Sequence, residues 1–253
     1  MCGRYTLTRP GEAMETMFGT RNRLNLPPRY NIAPSQDVPA VFRDPDFHDD
    51  EAGGGRHMGM MAWGFIPPWA KDATGPRPIN ARIESIAEKP LFRGNFRHRR
   101  CLLPADSFFE WKAEAGRKQP YLIRPRSRDL MAFAAIWSEW NPPGEVPTRT
   151  VAIVTTAADG PMRELHARMP VILEPDFHAA WLGEETAATP HLLDPPRLSG
   201  TQLEFFPVSP RVGNVANDDP ACLTPMDPDS AAKPAQPEPP KQGSLFQRLP
   251  GWG

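Results

Sequence analysis

"CLLPADSFFEWKA" (residues 101–113) holds two short apolar and aromatic runs, 101–105 and 108–113. Pro104 interrupts the first and Asp106 and Ser107 part them, and no helix interior tolerates that punctuation. Runs of this length with turn residues between them predict strands. The same signature recurs at "VPAVFR" (38–43), "GMMAWGFI" (59–66), "QPYLIRP" (119–125) and "LMAFAAIWSEW" (130–140). It returns at "RTVAIVTT" (149–156), "PVILE" (170–174) and "LEFFPVS" (203–209). Helical periodicity is weaker and confined to "PGEAMETMFG" (10–19), "NARIESIAE" (80–88), "GPMRELHARM" (160–169) and "EPDFHAAWLG" (174–183). Strands and short helices mix without a βαβ rhythm. The expected fold class is therefore α+β: one domain with an irregular, mainly antiparallel, barrel-like sheet core and short surrounding helices.

The 253 residues give ample chain to bury such a core. After about residue 224 the composition shifts: "PMDPDSAAKPAQPEPPKQ" has almost no large apolar residue and reads as a disordered linker. The expected division is a folded domain over 1–224 and a proline-rich tail over 225–253. The tail ends in "QGSLFQRLPGWG", whose apolar residues suit either a docking peptide or a segment folded back on the domain. No run of about 18 apolar residues predicts a membrane span. Arg4, Arg9 and Glu12 interrupt the apolar stretch a signal peptide needs, so the cytoplasm is the expected compartment. Cys2, Cys101 and Cys222 are far apart, with no CxxC pair or Cys/His cluster, which argues against a metal site or a disulfide framework. Nothing implies a cofactor. The net charge is −1, yet 23 of the 29 basic residues are arginine, and "RGNFRHRR" (93–100) is densely basic while "DPDFHDDE" (44–51) is acidic. Such local fields suit phosphate contacts, though scattered surface arginines give the same composition.

Chemistry concentrates first at "MCGRY". If Met1 leaves, Cys2 carries an α-amine and a thiol, with ordinary pKa values near ~8 and ~8.5. The amine can attack an aldehyde to form a Schiff base, and the thiol can close on the same carbon as a five-membered thiazolidine. Gly3 permits close approach of the backbone, and Arg4 can hold an anion nearby. The plainer reading is a casual second-position cysteine.

In "PINARIES" (78–85), Asn80 can hydrogen-bond an amine or sugar hydroxyl and Arg82 can grip a phosphate; alternatively Asn80 simply caps a helix. Trp69, behind Pro67 and Pro68, is either a stacking platform for a base or core. Glu110 stands inside the aromatic run "SFFEWK", where it is either buried and tuned for acid–base work or turned to water between Phe109 and Trp111. His166 in "LHARMPVIL" can move a proton near neutrality, and Arg168 and Thr155 add phosphate-type donors.

"MCGRY", "PRYNIAP", "WGFIPPW", "NAR", "CLLPADSFFEW", "FAAIW", "VTTAA", "HARMPVIL" and "VGN", in this order, resemble the SOS response-associated peptidase (SRAP) family over residues 2 to about 222. The resemblance implies an abasic-site sensor on single-stranded DNA, with Met1 removed by self-cleavage and Cys2 joined to the ring-opened sugar as a thiazolidine. It implies Asn80 holding amine and sugar, Glu110 as acid/base for the Schiff base, and His166 assisting proton transfer at the sugar and reversal. Arg4, Arg82, Thr155 and Arg168 would contact the DNA backbone and Trp69 would stack on a base, although Ala70 follows where some members have a second Trp. "QGSLF" (242–246) resembles the bacterial sliding-clamp peptide, with Gln242 at a polar rim and Leu245 and Phe246 in an apolar cleft. The expected assembly is a monomer working on the nucleoid. The rival enzyme is an N-terminal-nucleophile glutamine amidotransferase using Cys2, but the chain has no His-Asn-Gly stretch and no synthetase domain. A non-covalent single-strand-binding scaffold is the other rival.

Overall fold

In the computed structural model the described residues are 2–43, 55–114, 116–144, 146–184 and 189–226. The acidic stretch 44–51 and the clamp-like peptide with Gln242, Leu245 and Phe246 lie outside them. The strands in the first half of the chain are β1 (Tyr5–Leu7), β2 (Arg29–Ile32), β3 (Asp37–Phe42), β4 (His57–Trp63), β5 (Asn80–Arg82) and β6 (Arg100–Ala105). Those in the second half are β7 (Ser107–Glu114), β8 (Arg117–Pro125), β9 (Met131–Trp140), β10 (Thr148–Ala157), β11 (Arg168–Pro170) and β12 (Leu203–Pro207). Short helices α1 (Gly11–Phe18), α2 (Ile83–Ile86), α3 (Arg93–His98) and α4 (His178–Leu182) pack around them.

Strands β10, β4, β3, β6 and β9 pair in turn, and β9 pairs back onto β10, so five strands close a barrel. Its pairings are antiparallel except β4 with β10, where Thr150 faces Ala62 in parallel. Beyond the closure β10 runs on, carrying β5 in parallel and then β11 antiparallel. A second, antiparallel sheet has the order β12-β8-β7-β1-β2. The two sheets meet at residues 104–107. There β6 ends in the barrel and β7 begins in the second sheet, with only Asp106 between them. The Asp106 N–H donates to Thr6 O at 2.9 Å, and its carboxylate accepts the N–H and hydroxyl of Thr8, which fastens the end of β1 at the crossing.

The aromatic run in β7 lacks alternation because both faces of the strand are covered. Phe108 joins the main core with Phe133, Trp63 and Trp137, whereas Phe109 packs with Leu122, Val208, Val212 and Cys222. Each buried ring contributes roughly 1.5–3 kcal/mol. Three helical expectations are modified. In 80–88 the first three residues are strand β5, so Asn80 is a strand residue and Arg82 stands at the N-cap of α2. Residues 160–164 form a 3-10 turn before β11, and Pro175–Phe177 form another before α4. Proline near the start of each allows a tight turn without a long helix to follow. Among the described residues no helix is long and apolar enough to cross a membrane.

His178, in the first turn of α4, is buried and stacks on Phe18 with ring centroids 5.5 Å apart. Burial, reinforced by the nearby Arg56 charge, pulls its pKa down to about 4. The unfolded chain takes up a proton near the ordinary histidine pKa of ~6.5, before the folded state does. Stability is therefore complete above that value and falls as pH drops toward 4. Between pH 6.5 and 5 this amounts to about 2 kcal/mol. Urea unfolding at the two pH values should register the loss in the wild type and not in His178→Leu; equal losses in both proteins refute the assignment.

Candidate active site

The candidate nucleophile is held by the chain segment leading into β1, which lies between β7 and β2. Tyr5 pairs with Phe108, and the Phe109 N–H donates to Arg4 O at 2.9 Å. Continued two residues outward, that antiparallel register sets Glu110 against the Cys2–Gly3 end. Glu110 is only 4% exposed, so its side chain turns inward rather than to water. From across the molecule, Asn80 at the start of β5 donates Nδ2–H to Cys2 O at 2.9 Å. β5 is fixed by its parallel pairing with β10, Asn80 facing Ile153. The Asn80 Oδ1 is buried and has no hydrogen-bond partner among the described residues, which leaves a hydrogen-bond acceptor beside the Cys2 backbone.

Cys2 itself is 0% exposed while Met1 is attached. Burial, and then the Glu110 carboxylate, raise its thiol pKa well above the ordinary range; the Arg4 backbone N–H acts in the opposite sense. Burial and the neighbouring carboxylate thus favour the neutral thiol over the thiolate. The Tyr5 hydroxyl, also fully buried, has no hydrogen-bond partner among the described residues. Burial, followed by the Cys2 sulfur, raises its pKa.

A second cluster adjoins the first through β5. Arg82, two residues after Asn80, is exposed and registers with Thr155 on β10. Arg168 on β11 lies opposite Ala157. Its Nη1 and Nη2 form a fork on the Glu84 carboxylate at 2.7 and 2.9 Å, and Nη2 also donates to Thr155 O at 2.6 Å. Burial raises the Glu84 pKa, but hydrogen bonds from Arg168 outweigh that and hold it below its usual value. Thr155 is fully buried and its hydroxyl accepts from Arg168 at 3.3 Å, so it props the guanidinium rather than facing solvent. His166 stands on the turn into β11, and its Nδ1 accepts the Arg168 N–H at 2.9 Å. The same Nδ1 lies 3.1 Å from the Arg168 carbonyl oxygen, so both backbone polar groups of Arg168 hold the ring in place.

Two other expected contacts sit apart. Arg4 points into the protein, donating from Nη1 to Asn31 Oδ1 and to Val212 O, each at 2.7 Å, and lies over the Trp111 ring at 5.7 Å. Asn31 Nδ2 contacts the carbonyls of Val212, Asn214 and Asn217, so the "RYNI" and "VGN" segments meet here. Trp69, in the loop between β4 and β5, is 60% exposed. Asn31, Glu84 and Tyr5 were not singled out in the sequence. Glu84 follows Arg82 within "NARIES", and only the strand-to-helix change there brings it beside Arg168.

The family model described as SOS response associated peptidase (SRAP) matches residues 1–215. This chain belongs to the SRAP family. It is 36% identical over 231 residues to "Abasic site processing protein YoqW" of Bacillus subtilis, covering 88% of this chain and 99% of the relative. It is 29% identical over 234 residues to "Abasic site processing protein YedK" of Escherichia coli, covering 89% and 100%. Its fold matches that of a protein from Bacteroides thetaiotaomicron with a TM-score of 0.78 at 20% identity, over 89% of this chain and all of the other. The expected α+β, largely antiparallel SRAP architecture is the one observed.

Asn31→Leu leaves three carbonyls and one arginine nitrogen short of a buried partner. Its urea midpoint should correspond to a loss of about 2–4 kcal/mol; an unchanged midpoint would mean that the network contributes nothing to the fold.

Proposed function

We propose that this protein senses abasic sites in single-stranded DNA and captures them covalently through Cys2. The observation that carries the reading is that Asn80 and Glu110, from distant parts of the chain, both lie against the buried Cys2. The names of the relatives support the same lesion as substrate.

Hydrolysis of the Met1–Cys2 bond comes first, because the α-amine does not exist before it. Asn80 Oδ1 then accepts a hydrogen from the new amine, while its Nδ2 keeps the Cys2 carbonyl in place. The amine adds to the C1′ aldehyde of the ring-opened sugar to give a carbinolamine. Loss of water forms the imine, with Glu110 delivering the proton that the departing hydroxyl needs. The Cys2 sulfur adds to the imine carbon, and its proton ends on nitrogen. The net change is aldehyde plus aminothiol giving thiazolidine plus water. Nitrogen attacks first and sulfur second, because the five-membered ring closes only on the imine carbon that the first step makes. His166 can move a proton at the sugar oxygen as the furanose opens. Arg82 and Arg168 are the candidate phosphate contacts, with Thr155 and Glu84 orienting Arg168. Arg4 serves the same end indirectly by anchoring the strand that presents Cys2.

Intact DNA offers no aldehyde, so selectivity arises in the covalent step and noncovalent binding should weaken steeply with salt. Denaturing gels with abasic and intact oligonucleotides test this. Cys2→Ala should bind but give no denaturant-resistant adduct, and Glu110→Gln should form it about 10²-fold more slowly. A Cys2→Ala protein that still crosslinks ends the proposal, whereas glutaminase activity without aldehyde reactivity favours the amidotransferase alternative. The tail belongs to the same reading: Gln242, Leu245 and Phe246 suit a sliding-clamp cleft and would carry a monomeric domain to replication forks. Deleting 242–253 should abolish clamp pull-down, and retained binding would remove the tail from the account.

A further inference from the structure

The Tyr5 hydroxyl is fully buried and has no hydrogen-bond partner among the described residues. A hydroxyl taken out of water without a partner is costly, so its presence in the core calls for a group that engages it at some stage of the protein's work. Its ring has no room to swing elsewhere. Trp63 meets it edge-on with centroids 5.4 Å apart and Phe133 does so at 5.9 Å, while the Tyr5 backbone pairs with Phe108 on one side and Ile32 on the other. The Trp63 Nε1–H in turn donates to Ile79 O at 3.0 Å, so the packing that fixes the Tyr5 ring also fixes the residue before Asn80. Of the charges that act on the hydroxyl, that of the Cys2 sulfur is the largest, ahead of Arg29. The sulfur itself has a hydrogen-bond donor in the Arg4 backbone N–H, which works against burial and the Glu110 carboxylate.

We propose that Tyr5 is a further catalytic residue, whose hydroxyl donates a hydrogen bond to the Cys2 sulfur as the thiazolidine ring closes. The inference rests on the abasic-site reading above and adds to it a group that acts only in the last step. In that step the S–H bond breaks and the S–C bond forms at the imine carbon. The C=N π pair moves onto nitrogen, which receives the proton that sulfur released. Tyr5 keeps its own proton throughout. Burial and the nearby sulfur raise its pKa, so the hydroxyl donates a hydrogen bond and does not ionise. That bond is strong while sulfur carries negative charge, and weak to the thiol before and to the neutral ring sulfur after. It therefore favours the transition state over either ground state. With the Arg4 N–H it makes a two-donor cradle for the sulfur, built from adjoining residues.

Tyr5→Phe removes the hydroxyl and keeps the ring against Trp63 and Phe133. Because it deletes an unpaired buried group, its urea midpoint should equal or exceed that of the wild type. Its reaction with a single-stranded abasic oligonucleotide is followed in two ways under single-turnover conditions. Borohydride quenching traps the imine together with any closed ring, whereas a denaturing gel without reductant reports the closed ring alone. In Tyr5→Phe the borohydride-trapped total should grow at the wild-type rate while the ring closes about tenfold more slowly, so that imine accumulates. Ring closure at the wild-type rate, an equal slowing of both readouts, or a lowered urea midpoint overturns the assignment. A wild type that forms neither species overturns the abasic-site reading instead.

Discussion

The fixing of the first residues inside the protein is the constraint on which the rest depends. A chain terminus ordinarily frays, because nothing offsets the roughly 1–2 kcal/mol of backbone entropy lost per ordered residue. Here β1 is an interior strand with neighbours on both edges. Arg4 locks into Asn31 and the Val212 carbonyl, Asp106 closes the far end of the strand, and Asn80 holds Cys2 by its carbonyl oxygen. A candidate nucleophile on so short a tether is as well placed as a residue in the middle of a sheet, and placement of this kind lowers the ordering that a proposed reaction there requires.

The two sheets divide the work. The closed barrel supplies rigidity, and β10 extends past the closure to carry β5 and β11 with the Asn80, Arg82 and Arg168 side chains. The second sheet supplies Cys2 and Glu110 from adjacent strands. The candidate site therefore sits at the seam, and a small slip of one sheet against the other would separate the amide from the nucleophile. The buried aromatic face around Phe108, Phe133 and Trp63 resists such slippage because close-packed side chains cannot shift continuously.

Most strands were legible from local runs because their apolar residues are contiguous and bounded by Pro, Gly or Asp. β1 and β2 were not: "YTL" and "RYNI" are too short and too polar to stand out, and they become strands only through pairing with β7 and with each other. The division of 80–88 into strand and helix was hidden for the same reason, since Asn80–Arg82 owe their extended form to β10. At the candidate site, residue types pointed to Cys2, Asn80 and Glu110, but the inward turn of Glu110 follows from coverage of both faces of β7, which no single run reveals. The resemblance implies Arg4 on the DNA backbone, whereas the structure turns it inward because Asn31 and the Val212 carbonyl offer it amide and carbonyl oxygens. Glu84 escaped notice because its partner lies on a strand joined to it only through the sheet.

The pairing of Tyr5 with Phe108 also governs when the site can assemble during translation. A ribosome adding about 5–20 residues per second needs on the order of 5–20 s to make the intervening polypeptide. Throughout that interval β1 lacks a neighbour on one edge, and the peptide bond preceding Cys2 lies open to processing enzymes at the tunnel exit. Once β7 emerges and docks, Cys2 is buried. The order in which the sheet is built thus leaves the segment around Cys2 unburied for longer than any later strand of the second sheet.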